Sequence, residues 1–260
     1  MNRTGRIIVI TGGTGGLGQA LAAIHLQKGD ELIVTGRDET RLAEVISRLG
    51  NPPTLHIYTL DISDNEAVRR FAAWVQIRFG RCDFLYNNAG TASFLPFLDM
   101  SIEEIRQTID VNIMGMLYVT GAFLPMMITA KSGRIVQIAS LAGHVATAKA
   151  AVYAASKAAV IRFSEGLRHE LEKSGVHVTC AMPGPLDTPF LDRADTTGQY
   201  RQNVRSYLLT AEEAARSIVW AAEKKRAEIA LPTRLHLLSK AYFLLPAALK
   251  RLCAPLLNRK

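Results

Sequence analysis

A glycine-rich turn between a short apolar strand and a helix is the feature that most limits how this chain can fold. Residues 6–10 form a β-branched run that predicts a buried strand, and residues 17–28 have the apolar spacing of a helix. The sequence Thr11-Gly-Gly-Thr-Gly-Gly-Leu-Gly18 joins them. Such a turn lets the backbone approach a bound group, and the amide groups of the helix start can bind an anion such as a pyrophosphate. The unit is therefore predicted to bind a dinucleotide.

The rest of the chain continues this alternation of short apolar runs and longer amphipathic segments. Further strands are predicted at residues 31–35, 55–60, 83–86, 134–139, 176–182 and 228–231. Further helices are predicted at residues 39–49, 64–79, 101 to about 127, 152–173 and 211–223. Strands that alternate with helices indicate one α/β domain, a doubly wound parallel sheet of about seven strands with helices on both faces. The domain is expected to span residues 1–231, with a substrate lid at about 186–209 because that long segment has no clear strand period.

The charge of the chain is concentrated at its C-terminal end. The net charge is +8, and six of the 31 basic residues but none of the acidic ones follow Glu228. The nearly neutral body argues against a nucleic-acid partner. Residues 232–260 are read as a basic, leucine-rich extension whose longest uncharged stretch, 241–249, is too short to span a membrane. Two interpretations stay open for this extension: peripheral contact with an acidic membrane surface, or packing over the substrate cleft or a neighbouring subunit.

Cysteine usage and the N-terminal residues indicate a compartment. The three cysteines lie far apart and form no C-x-x-C pair, so neither a metal site nor a redox pair is predicted. The apolar run 7–10 is too short for a signal peptide. A cytoplasmic protein is expected, with partial membrane association as the alternative that the basic extension leaves open.

The residue after the second predicted strand bears on which dinucleotide fits. An NAD site commonly has Asp or Glu about 20 residues beyond the glycine turn, bound to the ribose 2′-hydroxyl. Here Thr35-Gly36-Arg37 stands at that place, without a carboxylate at the strand end. A guanidinium can bind a 2′-phosphate in a forked contact, and Arg41 lies one helical turn further on. NADP(H) is therefore predicted as the preferred cofactor, with NAD(H) still open. The alternative interpretation of Arg37 is a solvated loop charge.

Tyr153 and Lys157 are candidates for proton transfer. Their spacing of four within the predicted helix 152–173 places both on one face. A free tyrosine titrates near pH 10, whereas proton transfer at neutral pH favours a pKa nearer 7. An ammonium group one turn away in a water-poor cleft can supply part of that difference. A lone pair with this spacing also occurs by chance, so the neighbouring motifs decide how it is interpreted.

Polar motifs follow several other predicted strands. Asn87-Asn-Ala-Gly90 follows the fourth strand, Ser140 ends the fifth, and Pro183-Gly184 follows the sixth, with Thr188 beyond it. Asn112 interrupts the long predicted helix among apolar neighbours. Ligands of open α/β sheets bind at the carboxyl ends of the strands, so these groups are expected to meet in one cleft.

With these motifs in this order, the chain resembles the short-chain dehydrogenases/reductases from about residue 6 to residue 231. The resemblance implies a Rossmann-type fold and an oxidoreductase that interconverts a carbonyl and an alcohol by hydride transfer; Arg37 favours NADP(H) as its cofactor. It implies that Tyr153 exchanges the proton with the substrate and that Ser140 orients the carbonyl. Lys157 would bind the nicotinamide ribose and lower the pKa of the tyrosine, and Asn112 would bend its helix and hold a water.

The resemblance also implies a cofactor site. For the glycine turn it favours the register Gly12, Gly16, Gly18 over the register Gly13, Gly15, Gly18. The residues expected to contact the dinucleotide are Gly12, Thr14, Gly15, Gly16, Leu17, Gly18, Arg37, Asp61, Ile62, Asn88, Ala89, Gly90, Tyr153, Lys157, Pro183, Gly184, Leu186 and Thr188.

Two further questions concern function and partners. A dinucleotide-binding regulatory or scaffold protein on the same fold is the alternative function, but such a protein has no need of Tyr153 or Lys157. A small and rather apolar substrate is favoured by Phe94, Leu95, Phe190 and Leu191. The lid arginines are read either as contacts to an acidic group or as solvated charges; they are Arg193, Arg201 and Arg205. The resemblance implies a homodimer or homotetramer that forms through the long helix and the helix bearing Tyr153.

Overall fold

Seven parallel strands form one sheet in the computed structural model, which describes residues 5–244. In chain order the strands are β1 (Ile7–Ile10), β2 (Glu31–Gly36), β3 (Leu55–Thr59), β4 (Phe84–Asn87), β5 (Gly133–Ile138), β6 (Val176–Pro183) and β7 (Glu228–Leu231). Their order across the sheet is β3-β2-β1-β4-β5-β6-β7. The winding reverses between β1 and β4, and this is where an open α/β sheet has its ligand crevice. The predicted fold class is confirmed.

Ten α-helices connect the strands or follow them in the described part of the chain. They are α1 (Gly16–Gln27), α2 (Glu39–Arg48), α3 (Asn65–Phe79), α4 (Ile102–Ile109), α5 (Met116–Thr129), α6 (Ala151–Glu170), α7 (Pro189–Ala194), α8 (Gln199–Asn203), α9 (Ala211–Glu223) and α10 (Thr233–Leu244). The side chain of Asp64 caps α3, and Ser101 with Glu104 forms a capping box at the start of α4. These capping residues explain why the predicted helix starts lie close to the observed ones.

Both faces of the sheet are covered, as the apolar strands require. On one face, Ile8 and Ile10 of β1 pack in a cluster with residues of α1 and α9. On the other face, Ile7 and Val9 pack in a cluster with residues of α3, α5 and α6. Adjacent residues of one strand therefore point into different cores, which is why the strand reads as a continuous apolar run.

The long helix predicted from residue 101 is continuous but contains a wider turn. Residues Asp110–Gly115 form a π-helical segment between α4 and α5. The combined helix Ile102–Thr129, which lies outside the C-terminal extension, is long and apolar enough to cross a membrane by length and composition alone. Val119, Phe123 and Met127 are almost completely buried against the sheet, so these apolar side chains act as core residues.

A charged cluster, here called the amino-end network, lies where β1 and β2 begin; its members are Arg6, His25, Asp30, Tyr86 and Glu223. Arg6 donates to the carboxylate of Asp30 at 2.8 and 2.7 Å and to Glu223 at 2.9 Å. The His25 ring joins Asp30 at 2.7 Å through Nδ1 and the hydroxyl of Tyr86 at 2.8 Å through Nε2. Because a carboxylate only accepts, Nδ1 carries the proton and Nε2 accepts from Tyr86.

The predicted lid is a folded segment whose two ends are joined. Leu186 and Leu209 form an isolated parallel β-bridge, and the amide of Asp187 donates to the carbonyl of Leu209 at 2.8 Å. The helices α7 and α8 lie between these ends. In the C-terminal extension, α10 begins at Thr233, and the helix breaks expected at Pro246 and Pro255 lie outside the described residues.

Candidate functional site

One cavity of about 1390 Å³ lies over the carboxyl ends of the strands. It extends from Arg37 and Arg41, past the glycine turn, to residues of the lid and α10. Every residue expected to contact the dinucleotide lines it, and so do Ser140, Tyr153 and Lys157. Asn112 does not line the cavity; it is buried behind the wall. The structure thus brings together most of the residues that the sequence singled out.

Two glycines of the turn lie so close to neighbouring residues that a side chain would not fit there. Gly12 has a φ of 64°, and a Cβ there would lie 2.6 Å from Cα of Ala89. A Cβ on Gly16 would lie 2.5 Å from Cγ2 of Thr188. Substitution at either position would force backbone or neighbouring side chains apart, which agrees with the wider glycine register.

The first turn of α1 offers its backbone amides to an anion. Its N-cap is Gly15, no side chain caps it, and its first turn has no acidic residue. Asn88 fixes the turn from the neighbouring strand, because its Nδ2 donates to the carbonyls of Thr11 and Gly12 at 3.0 Å each. The amides of Asn88 and Ala89 both donate to Oγ1 of Thr11 at 3.1 Å. The turn is therefore rigid and suited to a phosphate.

The far end of the cavity is cationic. Arg37 follows β2 directly and is exposed, as the sequence led us to expect. Asp38 is the N-cap of α2, where its carboxylate accepts from the amide of Arg41 at 3.1 Å. Asp61 lies at the same end, and its Oδ1 accepts from the amide and the hydroxyl of Ser63 at 2.9 and 2.7 Å.

Tyr153, Lys157 and Ser140 meet at the middle of the cavity. Tyr153 and Lys157 are only 9% and 5% exposed. The Lys157 Nζ donates to the carbonyl of Ile138 at 2.8 Å and lies 5.8 Å from the centre of the Tyr153 ring. The Ser140 Oγ donates to the carbonyl of Pro183 at 3.3 Å and accepts from the amide of Ala142 at 3.1 Å.

Burial shifts both titratable groups of this site. It raises the pKa of Tyr153 to about 12, although the hydrogen bond with Ser140 opposes the shift. It lowers the pKa of Lys157 to about 8, because a buried ammonium is poorly solvated. The tyrosine is therefore protonated at neutral pH. The expected lowering of the Tyr153 pKa by Lys157 stays a prediction.

Asn112 lies in the π-helical segment and is fully engaged there. Its Oδ1 accepts from the amide of Thr91 at 2.8 Å, and its Nδ2 donates to the carbonyl of Thr91 and to Oγ of Ser156, each at 2.9 Å. Ser156 in turn donates to the carbonyl of Tyr153 at 2.7 Å. Asn112 thus joins the helix of Tyr153 to the loop after β4. Reasoning from the sequence missed Ser156, although it lies between the tyrosine and the lysine.

The other end of the cavity is apolar and is lined in part by the first helix of the C-terminal extension. Phe94, Leu191 and Tyr153 belong to one buried cluster, against which Phe190 and Tyr200 pack. From α10, the residues that line the cavity are Leu235, Leu238, Ser239 and Tyr242. The start of the C-terminal extension therefore covers the cleft, as one of its two interpretations expected. In residues 5–244, no group of three or more His, Cys, Asp or Glu is placed to hold a metal ion.

Comparison with known proteins identifies the family. The model of the short chain dehydrogenases matches residues 6–199. The chain belongs to the short-chain dehydrogenase family. The match ends before the C-terminal part of the lid, so residues 200–244, including α10, contribute to the cleft from outside the matched range.

Similar proteins in this family include structures solved with a nicotinamide dinucleotide. An uncharacterised oxidoreductase of Staphylococcus saprophyticus is 38% identical over 73% of this chain and 82% of the relative. A serine dehydrogenase solved with NADP+ has a TM-score of 0.79 and 33% identity, covering 86% of this chain and 93% of the other. A short-chain dehydrogenase of Burkholderia phymatum solved with NAD has a TM-score of 0.85 and 25% identity, covering 92% and 93%. A nicotinamide dinucleotide is thus the cofactor class, and these neighbours include both forms.

Proposed function

We propose that this short-chain dehydrogenase interconverts a carbonyl and an alcohol with NADP(H), and that its substrate is rather apolar. The observation that carries the proposal is the meeting of Ser140 and Tyr153 beside Lys157, midway along a cavity that is cationic at one end and apolar at the other. The glycine turn, the amides of α1 and the arginines fit a dinucleotide that carries phosphate groups. When bound, the cofactor supplies or accepts the hydride.

In this proposal the protein positions the carbonyl and moves one proton. Ser140 Oγ and the Tyr153 hydroxyl donate hydrogen bonds to the carbonyl oxygen, which polarises it. During reduction, the Tyr153 hydroxyl gives its proton to the developing alkoxide, which suits a group that is protonated at neutral pH. Lys157 binds the hydroxyls of the nicotinamide ribose. Its ammonium charge also stabilises the tyrosinate that remains after Tyr153 has given up its proton. Asn112 holds the helix of Tyr153 in place through Ser156.

The activity is tested with a panel of ketones and aldehydes and NADPH, followed by the loss of absorbance of the reduced cofactor. Apolar carbonyl compounds are expected to turn over fastest, because Phe94, Phe190 and Leu191 line the substrate end. Binding of NADPH without turnover of any carbonyl compound would instead favour the regulatory or scaffold role.

The cofactor preference is tested at Arg37. We expect the kcat/KM with NADPH to exceed that with NADH by about 10- to 150-fold, since a charge-assisted contact contributes about 1.5–3 kcal/mol. Arg37→Asp should remove or reverse this preference. Equal efficiencies in the parent that the substitution leaves unchanged would refute the role of Arg37.

Assembly and the C-terminal extension complete the proposal. A homodimer or homotetramer is proposed, supported by partly exposed apolar residues along the long helix; these are Met114, Leu117 and Tyr118. Sedimentation at micromolar concentration tests it, and a stable 28.5 kDa monomer refutes it.

We propose a cytoplasmic enzyme whose extension covers the cleft. Flotation with acidic liposomes, compared with a chain ending at Thr233, tests the alternative of membrane contact.

A further inference from the structure

We propose that Arg193, on the first helix of the lid, is a third cationic ligand for the 2′-phosphate of NADP(H), beside Arg37 and Arg41. The inference rests on the proposed function, since it concerns the same dinucleotide. It goes beyond that function because it assigns part of the cofactor site to the substrate lid. A 2′-phosphate would then order the segment that covers the substrate.

The position of α7 supports this assignment. Its N-cap is Thr188, whose Cγ2 occupies the space beside Gly16 where a Cβ would lie 2.5 Å away. The lid therefore starts directly against the glycine turn. Arg193 lies near the end of the same short helix and lines the cavity together with Arg37 and Arg41.

The three arginines form no ion pair within residues 5–244, in contrast to Arg201 of the lid. No side-chain hydrogen bond of Arg37, Arg41 or Arg193 is present in that range, whereas Arg201 holds both neighbouring carboxylates of the lid. Arg201 donates to Asp192 at 2.9 and 3.0 Å and also pairs with Asp187. Asp192 and Asp187 are therefore already engaged by Arg201, and an anion bound at the cationic end would relieve the repulsion between arginines there.

Arg193 and Arg41 are close enough to influence each other. Although Arg193 is exposed, burial of part of its side chain lowers its pKa, and the charge of Arg41 lowers it further, while the neighbouring Asp192 opposes the shift. The carboxylate of Asp38, at the same end of the cavity, is used as the cap of α2. A phosphate dianion bound there would attract both guanidinium groups and offset their repulsion. A phosphate is therefore the ligand class that best matches the site.

Other side chains of α7 face the opposite end of the cavity. Phe190 lies 6.1 Å from the Tyr153 ring, measured between ring centres, and Leu191 is buried in the cluster that contains Tyr153. One short helix thus contacts the candidate proton donor and, through Arg193, the cationic end. This arrangement favours a phosphate ligand for Arg193 over an acidic substrate, whose carbonyl would have to lie at Tyr153.

The test uses adenosine 2′,5′-bisphosphate and 5′-AMP, which differ by the 2′-phosphate and carry no nicotinamide, together with NADP+ and NAD+. Dissociation constants are measured by calorimetry for the full chain, for Arg193→Met and for the control Arg205→Met. Arg205 is a lid arginine that does not line the cavity. We expect Arg193→Met to weaken the two 2′-phosphate ligands about tenfold and to leave 5′-AMP and NAD+ unchanged. Arg205→Met should leave all four dissociation constants unchanged.

A second readout is hydrogen exchange of the backbone amides of residues 187–209. The bisphosphate should slow exchange there in the parent and in Arg205→Met, but not in Arg193→Met, whereas 5′-AMP should have little effect in any of them. Equal weakening of all four ligands, no weakening, or lid protection that Arg193→Met retains would overturn the inference. If Arg37→Met weakens NADP+ while Arg193→Met does not, only this inference fails. If neither substitution does, the proposed preference for NADP(H) fails as well.

Discussion

Two clusters of buried titratable side chains lie near opposite ends of the same sheet, and they differ in how completely they are paired. In the amino-end network, Asp30 accepts hydrogen bonds from both Arg6 and His25. At the carboxyl ends, the ammonium group of Lys157 donates to one carbonyl and has no carboxylate partner in residues 5–244. Buried charge stabilises a protein only when it is paired, so the first cluster should contribute stability and the second should reduce it.

The pKa shifts follow the same division. Burial by itself would raise the pKa of Asp30, but the hydrogen bonds from His25 and Arg6 outweigh it and hold the pKa below its usual value. At Lys157 burial dominates, and the pKa falls to about 8. Asp30 therefore keeps its charge because counter-charges are present, whereas burial of Lys157, which has none, favours its neutral form. We infer that the ligand-binding site keeps a buried charge that lowers stability, whereas the amino-end network pairs its buried charges.

The largest expected effect tests whether the carboxyl-end cluster serves catalysis. Tyr153→Phe should lower kcat by about 10²–10⁴, because the hydroxyl that moves the proton is lost while the ring still packs. Binding of NADP+ should change little. Steady-state rates and calorimetry measure the two effects.

The matched control is Tyr58→Phe, which alters a tyrosine that packs against Phe71 and Trp74 and does not line the cavity. It should keep the parent rate. Retention of more than about a hundredth of the activity in Tyr153→Phe would argue against its role in proton transfer.

The second effect tests the amino-end network. Asp30→Asn should reduce the free energy of unfolding by about 3 kcal/mol at pH 7, because it leaves Arg6 and His25 facing a neutral amide. Urea denaturation measures the loss. The turnover per folded molecule should stay near that of the parent, since the network is remote from the cavity.

The control for this change is Glu44→Gln, in an exposed pair with Arg48 at 3.4 Å, where a loss below about 0.5 kcal/mol is expected. Because the pKa of Asp30 is lower in the folded state, its contribution is present above about pH 4 and is lost as the pH falls towards the folded-state pKa. A parent-variant difference that does not shrink in acid would count against this account.

The third effect has the opposite sign. Lys157→Met should raise the free energy of unfolding by about 2 kcal/mol at pH 7, because it removes a buried charge at the expense of one hydrogen bond. Activity should be lost. Chemical denaturation across pH gives the profile.

The pH profile of the parent decides the cause of the third effect. The folded-state pKa of Lys157 lies below its unfolded value, so the penalty is complete below about pH 8 and fades as the pH rises to 10.5. The parent should therefore gain stability relative to Lys157→Met over that interval. A variant less stable than the parent at pH 7 would mean that the two clusters do not differ as described.

The smallest effect refines the description of the network. Tyr86→Phe should cost about 1 kcal/mol, because Nε2 of the buried His25 loses its donor at 2.8 Å. Thermal unfolding measures the shift. An unchanged midpoint would place the strength of the network in Asp30 and Arg6 alone.

Much of the fold could be predicted because its signals are local. The β-branched runs, the caps at Asp64 and Ser101, and the glycine turn each lie within a few residues of the element they specify. The candidate site was also predictable in outline, since motifs that follow parallel strands must meet at one edge of the sheet.

What could not be predicted depends on contacts between distant residues. Nothing in the sequence indicates that the hydroxyl of Tyr86 reaches the ring of His25, 61 residues away along the chain. Likewise, the sequence leaves open whether the C-terminal extension contacts a membrane or packs on the protein, and only the folded chain places α10 at the cavity. Side-chain pairing over long sequence separations is set by packing, which periodicity does not encode.

The bridge between Leu186 and Leu209 has a consequence for how such enzymes diversify. Because the two ends of the lid are held side by side, the segment between them can change length or sequence while the sheet keeps its geometry. Changes in the part of the lid that contacts neither the cofactor nor Tyr153 would then alter which substrate fits, while the residues that transfer the proton stay in place.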